Sequence, residues 1–131
     1  MNLKQKLGTV AAALGLALSG MAATAVPAAA VGGCPAGRLC LYENINYIDL
    51  DVTMASTKAC IYLSDFGEHR FGPGIGSYVN NLGVKAEVFH WVSGTSYALD
   101  GTIRPGGFSS NSTNGGLFGN YGMVCTGGAR P

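Results

Sequence analysis

Val84-Lys85-Ala86-Glu87-Val88-Phe89-His90-Trp91-Val92 is the stretch on which the fold turns. Its even positions read Val, Ala, Val, His, Val, and its odd positions Lys, Glu, Phe, Trp. A β-strand sends successive side chains to opposite faces, and β-branched and aromatic residues suit such a surface. The run is therefore read as a strand with one apolar face. His90 shares that face and is expected to be partly buried and hydrogen-bonded. Phe89 and Trp91 are read as a core stripe on the other face.

Working outward, similar short runs recur on both sides. Arg38 to Glu43 is strand-like. Asp49 to Met54 alternates strictly, with Leu50, Val52 and Met54 facing one way. Ala59 to Leu63 is a short apolar strand, and Tyr97 to Ile103 contains an Asp100-Gly101 turn signal. Tyr121, Met123 and Cys125 alternate again. Glu68 to Gly76 and Pro105 to Gly116 are long Gly-containing loops. The whole chain holds 21 glycines, and each would cost roughly 1 kcal/mol inside a helix. Many short strands separated by turn signals mean an all-β sandwich or barrel. Residues 38–83 and 84–127 also form a weak repeat, each half opening on its best strand and carrying a Gly-rich loop late. Two four-strand units would give one eight-stranded double Greek key.

The N-terminus is a different kind of sequence. Lys4 and Lys6 precede a run from Leu7 to Gly37 without a charge, which ends on Ala25-Val26-Pro27-Ala28-Ala29-Ala30. A basic start, an apolar stretch and small residues at the end make a secretory signal peptide over 1–30, with the domain at 31–131. Cleavage is placed after Ala30, with Ala25 as the second choice. Val31-Gly32-Gly33-Cys34 also loosely fits a lipoprotein box, which would acylate Cys34 and leave an odd number of thiols.

Charge excludes several partners. The chain has 8 Lys+Arg against 7 Asp+Glu, and 11% charged residues against roughly 25% in ordinary soluble domains. No basic stripe exists for a nucleic acid, and no basic cluster follows the leader to hold the chain in a membrane. A monomer is expected. Four cysteines, Cys34, Cys40, Cys60 and Cys125, lie beyond the leader. An even count in an exported chain reads as two disulfides, with three pairings open. Pro35 and Gly37 turn the chain easily between Cys34 and Cys40, which would leave Cys60 with Cys125. The spacing does not suit zinc.

Cys34-Pro35-Ala36-Gly37-Arg38-Leu39-Cys40-Leu41-Tyr42-Glu43-Asn44, followed by Tyr47, resembles the opening of the secreted actinobacterial (Streptomyces-type) metalloproteinase-inhibitor family. The resemblance implies a βγ-crystallin-like double Greek-key sandwich of about eight short strands. It implies a secreted inhibitor of extracellular metalloproteases that acts through a loop. Crystallin-like units favour Gly two residues after the second aromatic, where this chain has Asp49. Ser77-Tyr78-Val79-Asn80-Asn81 stands where such units carry an Asn/Asp pair. Asn80 and Asn81 are thus the candidate calcium ligands, although Val84 stands where the calcium motif has Ser or Thr; otherwise no cofactor is expected. Loop length alone nominates Glu68–Gly76, with Glu68, His69, Arg70 and Phe71 as inhibitory-loop candidates, and Pro105–Gly116 as the other loop.

Catalysis is not expected. Neither H-E-x-x-H nor G-x-S-x-G occurs, and nothing singles out a carboxylate pair. The alternatives to inhibition are a crystallin-like antimicrobial or cytotoxic module and a calcium-binding or structural one.

Overall fold

The structure, a computed structural model, describes residues 30–67, 71–113 and 117–131. The expected leader, apart from Ala30, lies outside them.

Eight strands form, with only short 3-10 turns between them and no α-helix among the described residues. They are β1 (Leu39–Tyr42), β2 (Leu50–Met54), β3 (Cys60–Tyr62), β4 (Ser77–Asn80), β5 (Ala86–Ser93), β6 (Ser96–Ile103), β7 (Phe108–Ser109) and β8 (Met123–Thr126). They make two antiparallel four-stranded sheets, ordered β2-β1-β4-β7 and β3-β8-β5-β6. Each sheet takes three strands from one half of the chain. Its fourth strand is the third strand of the other half, so β3 and β7 have changed places.

Alternation sorts the side chains. Leu39 and Leu41, Val52 and Met54, Ala86 and Val88, Ile103 and Val124 point between the sheets and share one core with Leu63, Phe71, Ile75 and Leu82. Each Val, Leu, Ile, Met or Phe among them, fully buried, contributes about 1.5–3 kcal/mol. The remaining positions face outward. Cys40, Tyr42 and Val79 are capped there by the N-terminal segment through Val31 and Cys34. On the other sheet Phe89, Met123 and Cys125 pack with Cys60, Tyr97 and Ala129. One disulfide staples each outer face, Cys34–Cys40 on the first sheet and Cys60–Cys125 on the second. Cys60 and Cys125 are direct cross-strand partners. Two disulfides are consistent with an oxidising extracellular environment.

Three expectations need correcting. Leu50 is 44% exposed while Val52 and Met54 are buried. The β1–β2 register slips between Leu41 and Tyr42, and such a bulge turns the following side chain to the opposite face. Asp100-Gly101 does not turn the chain. It sits inside β6 at an irregularity against Val88–Phe89, and the hairpin turns at Gly94, whose φ is +54°. The aromatic stripe divides, with Phe89 buried at 5% exposure and Trp91 open at 47%. β5 pairs with β8 only over Ala86–Phe89, so the end of the β5–β6 hairpin runs past its neighbour.

Tyr42 is 1% exposed and its Oη donates to the Gly32 carbonyl at 2.8 Å. Burial, with a smaller push from Tyr47, raises the pKa of Tyr42 above the usual 10, and Tyr78 is raised for the same reasons. The unfolded chain ionises these phenols near pH 10, and the folded chain only above it. Their contribution to stability is therefore whole below pH 10 and is lost as pH climbs through the folded values. Melting temperatures recorded from neutral to strongly alkaline pH are expected to fall beyond pH 10. In Tyr42→Phe that alkaline fall should be shallower; an unchanged profile would refute the assignment.

Candidate functional site

The β1–β2 connection, Glu43-Asn44-Ile45-Asn46-Tyr47-Ile48-Asp49, is exposed yet fixed. Three of its non-glycine residues lie in the left-handed region, Asn46 at φ +59°, Tyr47 at +60° and Asp49 at +59°. Asn and Asp tolerate that region, whereas for Tyr it costs about 1–2 kcal/mol, so the surroundings must hold it.

They do so from several sides. The Glu43 N–H donates to Asp49 O at 2.9 Å and the Asn44 N–H to Ile48 O at 3.2 Å. Asn44 Nδ2 donates to Asp49 Oδ2 at 2.6 Å. Ser77 on β4 acts as a clamp. Its Oγ donates to Asn44 O at 2.6 Å and accepts from the Tyr47 N–H at 2.9 Å. The Asn46 N–H donates to Ser110 O at 2.7 Å. The Tyr47 ring meets Tyr42 edge-on at 5.5 Å. Gly76 has to be glycine, because a Cβ there would overlap the Glu43 carbonyl and the Asn44 backbone. The outcome is a rigid corner that holds Ile45 and Ile48 in solvent, 42% and 54% exposed.

Further hydrogen bonds continue from this corner along one end of the sandwich. The Ser112 N–H donates to Gly76 O, and Ser112 Oγ to Ile75 O. The Ile75 N–H donates to Phe118 O at 2.7 Å, and the Gly119 N–H to Asp100 Oδ2 at 2.7 Å. Asp100 also holds Nδ1 of His90, and the Trp91 N–H donates to Asn120 O. His90 is thus hydrogen-bonded and half-buried, as expected. Leu117, Tyr121 and Trp91 are exposed along this path at 56%, 56% and 47%.

The loop candidates chosen by length fare differently. Glu68, His69 and Arg70 lie outside the described residues. Phe71 is corrected: it is 2% exposed and belongs to the main core, so it cannot meet a partner. Residues 74–76 are buried with it. In the second loop, 108–109 form β7, and Phe108 is 59% exposed.

Asn80 and Asn81 act as ties. Asn80, fully buried, directs Nδ2 to the carbonyls of Val84, Ile103 and Arg104 at 3.0, 3.3 and 3.2 Å. Its Oδ1 accepts from the Leu82 N–H at 3.0 Å. Asn81 Nδ2 reaches Cys34 O and Pro35 O, both at 3.1 Å. The four cysteines are all bridged. Among the described residues no three His, Cys, Asp or Glu side chains gather as metal ligands. The hollows lined by Asp100, Ser112, Leu117 and Phe118, and by Tyr78, Arg104 and Phe108, measure about 200 and 270 Å³. Both fall below the roughly 300 Å³ at which small-molecule sites begin.

Sequence reasoning passed over the corner because it is short. The Tyr42/Tyr47 pair and the Asn and Asp residues between β1 and β2 were its visible signal. Comparison with protein-family models, curated proteins and solved structures finds no match to this chain.

Proposed function

We propose that the protein is a secreted inhibitor of an extracellular metalloprotease, that its frame is a crystallin-like double Greek key, and that it docks through the 43–49 corner. The observation that carries the reading is the corner itself. Its apolar side chains are exposed on a backbone already locked by Ser77, Ser110 and Gly76. A loop fixed beforehand gives up little conformational freedom on binding, which is what a tight inhibitor needs.

Other features agree with it. The opening motif from Cys34 to Tyr47 resembles that inhibitor family. The exchange of β3 and β7 suits a crystallin-like pair of Greek keys. Asp49 is left-handed at the place where such units favour glycine. The leader sequence and the two disulfides suit export. The reading needs no cofactor and no catalytic group.

The test is inhibition of a thermolysin-like metalloprotease by the purified protein. Inhibition is expected at micromolar protein or below. Ile48→Asp should weaken it about tenfold or more, since a central apolar anchor contributes about 1–2 kcal/mol or more and a buried charge costs further. An unaffected protease at micromolar protein would sink the metalloprotease reading. Full inhibition by Ile48→Asp would keep the activity but move it off the corner.

A further inference from the structure

The four sheet edges are unequal. β7 has two residues, β3 three and β2 five. β2 also carries Asp51 at its bulge and follows Asp49, and charge on an edge discourages further pairing. β6 is different. It is an edge strand of eight residues, paired on one side only, with β5. Among the described residues no backbone–backbone hydrogen bond outside the β5 ladder engages Ser96 to Thr102.

The one charge of β6, Asp100 at the irregularity, is turned to His90 and the Gly119 N–H, so the part of the edge before it is left unguarded. From Trp91 to Leu99 there is no charged residue. Trp91, Val92 and Leu99 are 47%, 53% and 51% exposed. Trp91 stands opposite Tyr97, and Leu99 opposite Phe89, so Trp91, Tyr97 and Leu99 share the outer face. The Trp91 indole is fixed by Nε1 donating to Gly94 O at 2.9 Å. A row of open N–H and C=O groups flanked by apolar side chains is completed by one kind of partner, an extended strand without charge. The segment Ser96–Leu99 is itself such a strand.

We propose that β6 pairs with β6 of a second copy of this chain, antiparallel across a twofold axis, joining two four-stranded sheets into one of eight. With Ala98 on the axis, Tyr97 of one copy lies opposite Leu99 of the other, so the outer faces stay continuous. No like charges meet between Ser96 and Leu99, which is the charge match that an isologous contact requires. The contact uses neither Ile45 nor Ile48, so it stands apart from the inhibitory reading. It replaces the monomer expected from composition.

Sedimentation of the purified protein tests this. Twice the chain's mass is expected at high micromolar concentration, dissociating on dilution. Leu99→Lys should sediment as a monomer while keeping its melting temperature, because residue 99 is half in solvent. Ala98→Cys adds the one thiol to a chain with no free cysteine, and under oxidation it should yield a disulfide-linked dimer. A wild-type protein that stays monomeric throughout would overturn the proposal. So would a dimer that survives Leu99→Lys, or an Ala98→Cys protein that stays monomeric after oxidation.

Discussion

Replacing Cys60 and Cys125 together by alanine is expected to lower the melting temperature by about 20 °C, far more than the same change at Cys34 and Cys40. The bridges close loops of very different length, 65 residues against 6. Loop-closure entropy removed from the unfolded chain makes the long bridge worth about 4 kcal/mol and the short one about 2. In a domain of this size each kcal/mol shifts the midpoint by about 4–8 °C. The long bridge also joins direct partners on β3 and β8, the pairing that carries one half's strand into the other half's sheet. Urea titration of both double variants checks the ranking. The Cys60/Cys125 variant should also show a steeper denaturant dependence, because its unfolded state exposes more surface. Equal losses for the two pairs would refute the loop-length account.

Asn80→Ala is expected to cost about 3 kcal/mol, more than any single surface change. Asn80 is 0% exposed at the end of β4, and its amide joins four backbone groups, Leu82 N and the carbonyls of Val84, Ile103 and Arg104. Removing it strands buried polar groups at about 1–3 kcal/mol each, and some of them will find water. Asn80→Asp should be worse, since a carboxylate would face three carbonyls without a proton to offer. Asn81→Ala should cost about 1 kcal/mol, because its two partners, Cys34 O and Pro35 O, lie near solvent. Chemical denaturation of the three variants checks the order. An Asn80→Ala protein as stable as wild type would show that the amide is not the tie described.

The fold was legible wherever alternation was unbroken. Val52 and Met54, Ala86 and Val88, and Met123 and Cys125 fall on the faces that their spacing implies. Both disulfides follow from cysteine count and chain geometry. Misreadings occur where a backbone irregularity changes the parity. The slip beside Leu41 turns Leu50 outward, and the irregularity at Asp100 hides a turn-like dipeptide inside a strand. β7, at two residues, is too short to leave a periodic mark. The site was less legible than the fold. Loop length pointed to Phe71, whereas burial in three dimensions makes that residue core. The 43–49 corner depends on Ser77, Gly76 and Ser110, which lie some 30 to 60 residues away, and no local pattern announces a contact of that range.

The exchange of β3 and β7 has a consequence for survival among proteases. A peptide bond cut between residues 67 and 70, in the link from β4 to β5, or between residues 110 and 122 would leave two pieces. In each case strands of one piece remain in the ladders of the other, and the Cys60–Cys125 bond still spans the cut. Neither piece can leave without unzipping a sheet and reducing a disulfide. Most of the chain's pairings also join distant segments, a topology that folds over milliseconds to seconds. The molecule trades quick assembly for the property that a single nick does not release a half.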